Sequence, residues 1–272
     1  MTSHFVDVTE IEGQQISAEQ LDRTCHRYHW AAREVAGPYA VEAACGSGLG
    51  LELLLESAAH LSAGDYSPEV LESARATLGG RVPLGVFSAD AMPFADSTLG
   101  AVLLFEALYY LPDIDKFFAE ARRVLRPEGK LLIVTCNKDL FDFNPSPYTH
   151  EYLGVAELSE RLRKWGFTPE FAGYTDVSKT SLRQRLLRPI KALAARANLV
   201  PKTMGGKRLL KRFFFGRLLT MPPNIAGIPF DYQPPVPIEP SRPDRRHKVI
   251  YCKAILEKGS GPATASGEME KP

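Results

Sequence analysis

The chain has 272 residues, 44% hydrophobic and 24% charged, the composition of a globular chain with room for one large domain or two. No apolar run reaches the roughly 18 residues that span a bilayer, and the start MTSHFVDVTE has neither the basic nor the apolar region of a secretory signal. Four scattered cysteines (Cys25, Cys45, Cys136, Cys252) form no CxxC pair, so neither a disulfide framework nor a zinc knuckle is supported and a reducing cytoplasm is the expected setting. The formal net charge of +1 conceals an asymmetry. Val177 to Thr220 holds 12 Lys or Arg and no Asp or Glu, which leaves 21 basic against 32 acidic residues elsewhere. An acidic body therefore carries one strongly basic segment.

Residues 39–137 alternate short apolar runs with helical patterns. YAVEAA reads as a buried strand and LELLLESAA as a helix. HLSAGDY is a second strand. SPEVLESARATL opens with Ser67 as N-cap, Pro68 at the first helical position and Glu69 in the first turn, each a helix-start choice. VPLGVFSAD and GAVLLFEAL are strands. DIDKFFAEARRVL is an amphipathic helix with Phe117, Ala121, Val124 and Leu125 on one face, and GKLLIVTCN is a near-continuous apolar strand. This alternation predicts a doubly wound α/β fold with a mostly parallel sheet.

After a polar, aromatic loop (138–150), EYLGVAELSERLRKWG is a further helix and FTPEFAGYTDV a strand. Residues 178–220 read as basic helices. Residues 222–243 hold eight prolines, which argues against any regular structure there. HKVIYCKAIL returns as a late strand, antiparallel to the rest. The predicted organisation is a core over 1–177, a basic helical and Pro-rich insertion over 178–246 acting as cap or lid, the final core strand over 247–257, and a disordered tail over 258–272 rich in Gly, Ser, Pro and charge.

The turn VEAACGSGLG, residues 41–50, carries the chemistry. A dinucleotide fingerprint needs GxGxxG. Here Gly46, Gly48 and Gly50 give GxGxG, and Leu51 stands where the third glycine belongs. Glu42, inside the strand before the turn, is a poor neighbour for a pyrophosphate and a good one for positive charge. Both features disfavour an NAD-dependent oxidoreductase. Asp65 ends the second strand, where a carboxylate can accept from ribose hydroxyls. Asp90 ends the third, where it can accept from an adenine amino group. Three carboxylates on the carboxyl edge of one sheet suit a cationic nucleoside without phosphates.

VEAACGSGLG, GDYSPEVLESAR, SADAMPFADSTLGAVLLFEALYYL and ARRVLRPEGKLLI, in this order and spacing, resemble the successive motifs of the class I S-adenosylmethionine-dependent methyltransferases. The resemblance covers roughly residues 25–175 and the last strand, and implies a seven-stranded Rossmann-like sheet whose last strand is antiparallel. It implies that Glu42, Gly46 and Gly48 hold the methionine end of S-adenosylmethionine, with Tyr28 or His29 at its carboxylate and Ala44 also at the cofactor. Asp65 would hold the ribose, and Asp90 with Ala91 the adenine, with Tyr66 and Phe105 as further cofactor-binding candidates. Ala44 departs from the family, which has a glycine there.

The methyl group arrives activated, so the protein contributes mainly alignment and exclusion of water, and a base matters only for a hydroxyl of high pKa. Candidates are His150, alternatively a surface or helix-start histidine, and Glu106 at the end of the fourth strand. Tyr109, Tyr110 and Tyr148 are candidates for the acceptor channel, where aromatic faces favour a sulfonium; Tyr109 and Tyr110 read equally well as core. Asp113, Asp115, Asn137 and Asp139 invite a metal reading, but Asp113 more simply caps a helix, and no metal is expected. The basic insertion reads as a helical cap, as a contact with an anionic membrane or lipid- or glycan-linked acceptor, or, without any accompanying RNA-binding motif, as a nucleic-acid contact. The expected activity is methylation, at oxygen, of a small-molecule, glycan- or lipid-linked acceptor. The alternatives are an RNA or protein methyltransferase and a cofactor-binding module without catalysis.

Overall fold

The computed structural model describes residues 9–35, 39–146, 148–177 and 218–258. The order is β1 (Gln15–Ser17), α1 (Ala18–Glu34), β2 (Ala40–Ala43), α2 (Leu51–Leu55), β3 (Leu61–Asp65), α3 (Pro68–Leu78), β4 (Leu84–Val86), β5 (Leu99–Phe105), α4 (Ile114–Val124), β6 (Leu125–Cys136), α5 (Val155–Lys164), β7 (Phe167–Asp176), β8 (Leu218–Thr220), β9 (Val236–Ile238) and β10 (His247–Leu256). An eight-stranded sheet has the order β4-β3-β2-β5-β6-β10-β7-β9, and β1 pairs with β8 in a separate ribbon. Strands β4 to β6 run parallel. β10 is antiparallel to both β6 and β7. This is the doubly wound sheet expected, with one strand more than the seven predicted.

Local chemistry explains most of the boundaries. The Ser67 hydroxyl accepts from the Val70 amide and Pro68 occupies the first helical turn of α3. Asp113 caps α4 by accepting from the amides of Asp115 and Lys116. α2 is shorter than its apolar run suggested and ends at Leu55. α5 starts only at Val155, because the Glu157 carboxylate accepts from the Gly154 amide and fixes the start there. Alternate residues of β6 feed opposite faces, as a two-residue period requires. Leu131 and Ile133 pack with Phe117, Phe118 and Leu158. Leu132 and Val134 pack with Leu51, Leu54 and Leu71 on the other side.

The Pro-rich stretch corrects the expectation of irregular chain. Val236–Ile238 forms β9 on the sheet's outer edge, with Pro237 opposite Ala172. An edge strand tolerates proline because its missing donor faces away from the ladder. The same stretch is fastened to α1 by His26, whose Nε2 donates to the Gln233 carbonyl at 2.8 Å while Nδ1 accepts from Tyr251 at 2.7 Å. Burial pushes the His26 pKa down to about 4, which keeps the ring neutral in that role. Of the basic helices predicted over 178–220, Leu218–Thr220 instead forms β8, and the remainder, with the membrane, lipid and nucleic-acid readings, lies outside the described residues, as does the tail from 259. No helix among the described residues is long and apolar enough to cross a membrane.

Candidate active site

The strand order reverses between β2 and its neighbours β3 and β5. Ligands of open α/β sheets bind at such a point, beyond the carboxyl ends of the strands. A cavity of about 700 Å³ opens there. Its floor is the turn after β2. Ala44 (φ 54°), Gly46 (φ 57°) and Gly48 (φ 74°) all lie in the left-handed region. Ala44 occupies it at a steric cost that glycine does not carry. Gly50 serves a different purpose. A Cβ on it would lie 2.2 Å from the Tyr28 ring, so its bare backbone lets Tyr28 lie against the turn.

Tyr28 donates to Glu42 Oε1 at 2.7 Å. Glu42 is 1% exposed, and its Oε2 has no hydrogen-bond partner among the described residues. Burial raises its pKa to about 8. Asp65 accepts from the Gly46 amide through Oδ2 at 3.0 Å and from the Ser67 amide through Oδ1 at 2.9 Å. One carboxylate thus fastens the glycine turn to the start of α3, and burial raises its pKa. Tyr66 and Asp90 line the cavity, and Asp90 accepts from Ser88. Phe105 also lines it and meets Tyr28 edge-on at 5.4 Å. Ala91 is not among the lining residues, and His29 stacks instead on Phe230 at 5.1 Å.

The upper wall carries the acceptor-side candidates. Glu106 follows β5 with φ 51°, and burial raises its pKa. Tyr109 donates to its Oε2 at 3.0 Å, meets Tyr110 edge-on at 4.7 Å and stacks on Tyr152 at 4.8 Å. Tyr110 also lines the cavity. His150 stands exposed at the rim, its amide donating to the Tyr109 carbonyl at 2.9 Å. Tyr148 lies outside the lining and is 52% exposed. Of the residues that invited a metal reading, Asp113 caps α4, Asp115 accepts from the Trp165 indole and Asn137 donates to Asp244. Among the described residues no group of three or more His, Cys, Asp or Glu is placed to hold a metal ion.

The sequence reading missed Glu10, Arg23 and Arg27, all of which line the cavity. Arg27 Nη2 meets Glu10 Oε2 at 2.5 Å. Gln20 Nε2 donates to Glu10 Oε1 at 3.2 Å. Burial works against both charges. Glu10 overrides it for Arg27, whose pKa is raised, and Arg27 and Gln20 override it for Glu10, whose pKa is lowered. The Nε atoms of Arg27 and Arg23 are buried without partners among the described residues. Arg23 and Arg27 stand four residues apart, hence on one helix face. That spacing was the available signal.

Residues 41–133 match the family described as Methyltransferase domain. Over those residues the chain is similar to S-adenosylmethionine-dependent methyltransferases. A probable S-adenosylmethionine-dependent methyltransferase of Mycolicibacterium smegmatis is 32% identical over 53% of this chain and 57% of its own length. The ubiquinone biosynthesis O-methyltransferase of Xanthomonas axonopodis pv. citri is 27% identical over 57% of this chain and 64% of its own length. The chain spans about half the length of the first curated relatives it matches. The structure of an S-adenosylmethionine-dependent methyltransferase from Archaeoglobus fulgidus aligns over 87% of this chain and 97% of that one, at 13% identity and a TM-score of 0.55; it shares the methyltransferase fold. The cofactor of such a domain is S-adenosylmethionine, and the cavity wall fits its amino-acid end. Glu42 Oε2 and Arg27 Nε are orphaned buried polar atoms of two residues that both line the cavity. An ammonium and a carboxylate on one ligand satisfy both.

Proposed function

We propose that the protein transfers the S-adenosylmethionine methyl group to a hydroxyl of a small-molecule, glycan- or lipid-linked acceptor, with Glu106 as the base. The observation that carries this reading is one cavity lined by Glu42, Arg27 and Glu106 together. The Glu42 and Arg27 wall suits a zwitterion, and the Glu106 carboxylate stands beside aromatic rings. The Xanthomonas relative is named as an O-methyltransferase and one from Bordetella avium as a C-methyltransferase, so the oxygen acceptor rests on the placement of Glu106.

In this reading Glu42 holds the cofactor's ammonium and Arg27 its carboxylate. Asp65 accepts from the ribose hydroxyls, Asp90 from the adenine amino group, and Phe105 closes the apolar side. The bound cofactor supplies a methyl group already activated by a positive sulfur. Tyr109 and Tyr110 turn aromatic faces toward that cation and keep water out. Glu106 takes the acceptor's proton. Burial raises the pKa of its carboxyl, the direction that strengthens a general base, and Tyr109 fixes its orientation through Oε2.

The test is Glu106→Gln beside His150→Ala, assayed on a panel of phenolic, glycosyl and prenylated hydroxyl acceptors. Calorimetry with S-adenosylhomocysteine runs alongside. Glu106→Gln is expected to keep wild-type affinity and to lose turnover by about 10²- to 10⁴-fold, the span of general-base contributions. His150→Ala is expected to stay close to wild type. Full turnover by Glu106→Gln overturns the assignment of the base. Binding of NAD in place of S-adenosylhomocysteine overturns the reading altogether.

A further inference from the structure

Arg27 is nine-tenths buried, and Glu10 covers it from the solvent side with 24% of its own side chain exposed. The contact uses only part of what the guanidinium offers. Nε and Nη2 form one edge of the planar group, the edge that grips a carboxylate through two parallel bonds. Glu10 takes Nη2 and leaves Nε without a partner. It is a one-point occupant of a two-point site.

The chain around Glu10 is arranged as a strap. From Gly13 onward it is anchored: the Gly13 amide donates to the Met221 carbonyl at 2.9 Å and the Met221 amide to the Gln14 carbonyl at 2.8 Å. Ahead of that anchor, Thr9 to Glu12 cross the glycine turn. Ser47, inside the turn, donates to the Glu10 carbonyl at 2.6 Å. A Cβ on Gly46 would come within 3.1 Å of the Thr9 methyl. Gly13 has φ 80°, a left-handed conformation that glycine adopts without strain. It marks the junction between the anchored and the crossing parts.

We propose that Glu10 is the internal occupant of the carboxylate site at Arg27, and that residues 9–12 must release Arg27 before the cofactor's own carboxylate can engage it. This rests on the cofactor reading above. A ligand carboxylate that takes both Nε and Nη2 outcompetes the single bond from Glu10. The strap is thus a gate whose closed state mimics part of the ligand. Its more exposed partner is the one that leaves, and the buried cation stays in the wall.

The experiment is calorimetry of S-adenosylhomocysteine binding to the full chain and to Glu10→Gln. Removing the competitor is expected to tighten binding at least tenfold, which corresponds to about 1.4 kcal/mol. A merely structural role for Glu10 predicts weaker binding, because an unpaired Arg27 would loosen the wall. Glu10→Gln also leaves a buried charge uncovered, so its empty form is expected to melt lower than wild type and to gain more from the ligand. Ser47→Ala removes one of the strap's other contacts, beside those from Gln14, Gln20 and Thr24, without uncovering a charge, and is expected to tighten binding two- to threefold, which guards against misfolding of the first variant. Equal or weaker affinity in both variants overturns the gate and leaves the cofactor reading standing. Absence of binding to all three proteins overturns both.

Discussion

Glu42 offers the sharpest physical test, because its carboxyl is buried with one hydrogen-bond partner among the described residues. Its pKa stands at about 8, against 4.5 for an unburied glutamate. Between those values the folded state keeps a proton that the unfolded state has lost. Stability is therefore full below pH 4.5 and falls as pH rises through the window to 8. Each unit is worth about 1.4 kcal/mol, and at 1% exposure solvent does little to weaken it. Glu42→Gln keeps the acceptor for Tyr28 and removes the titration. Its amide leaves a buried donor in place of Oε2, which shifts its stability by a constant and leaves the slope clean. With a melting shift of about 2–4 °C per kcal/mol for chains near this size, wild type should lose about 3–6 °C per pH unit relative to Glu42→Gln between pH 5 and 7, and less as pH nears 8. Calorimetric melts of both proteins across that range check it. Parallel curves would refute the claim that Glu42 is buried neutral. The ligand gives an independent reading. A cation beside Oε2 lowers the pKa, so binding at pH 7 should release about one proton from wild type and none from Glu42→Gln, measured by titration in two buffers of different ionisation enthalpy.

Ala44→Gly should raise the melting temperature by about 2 °C, because relief of 1–2 kcal/mol of left-handed strain exceeds the added freedom of glycine in the unfolded chain; a lower melting point would mean that the φ of 54° carries no strain. Asp65→Ala removes the acceptor for the Gly46 and Ser67 amides. It should cost about 2 kcal/mol of stability and abolish S-adenosylhomocysteine binding in calorimetry, and retained affinity would show that neither the turn nor the ribose depends on that carboxylate.

Local signals and one-sided periodicity were legible because each is written in a few adjacent residues. Ser67 with Pro68 marks a helix start, Asp113 a cap, and the apolar run of β6 a central strand. Much of the site's floor was legible for the same reason, with Glu42 inside β2, Gly46 in the turn after it and Asp65 at the end of β3. β4, however, stops at Val86, and Asp90 lies in the turn beyond it instead of at a strand end. What stayed hidden depends on distance along the chain. Glu10 and Arg27 are ordinary charges until the fold lays one across the other. The pairing of β1 with β8 joins Gln15 to Thr220, with no motif in either strand. Val236–Ile238 was hidden by its proline, because the bias against proline in strands holds for central positions and not for an edge. Ala44 was visible as a departure from the family, but its left-handed backbone was not.

The ribbon of β1 and β8 also sets an order of events. Gln15 meets Thr220, Ile16 meets Leu219, and Met221 packs beside Ile16 and Leu49 against the glycine turn. The stretch over the cofactor turn is thus held by two segments about 200 residues apart. Closing so long a loop is slow compared with the local pairings within the sheet. During synthesis the parallel strands can assemble while the ribosome is still extending the chain, but β1 has no partner until Thr220 has emerged. The cofactor end is therefore the last part of the site to be completed, and a chain halted before that point is left with the glycine turn uncovered.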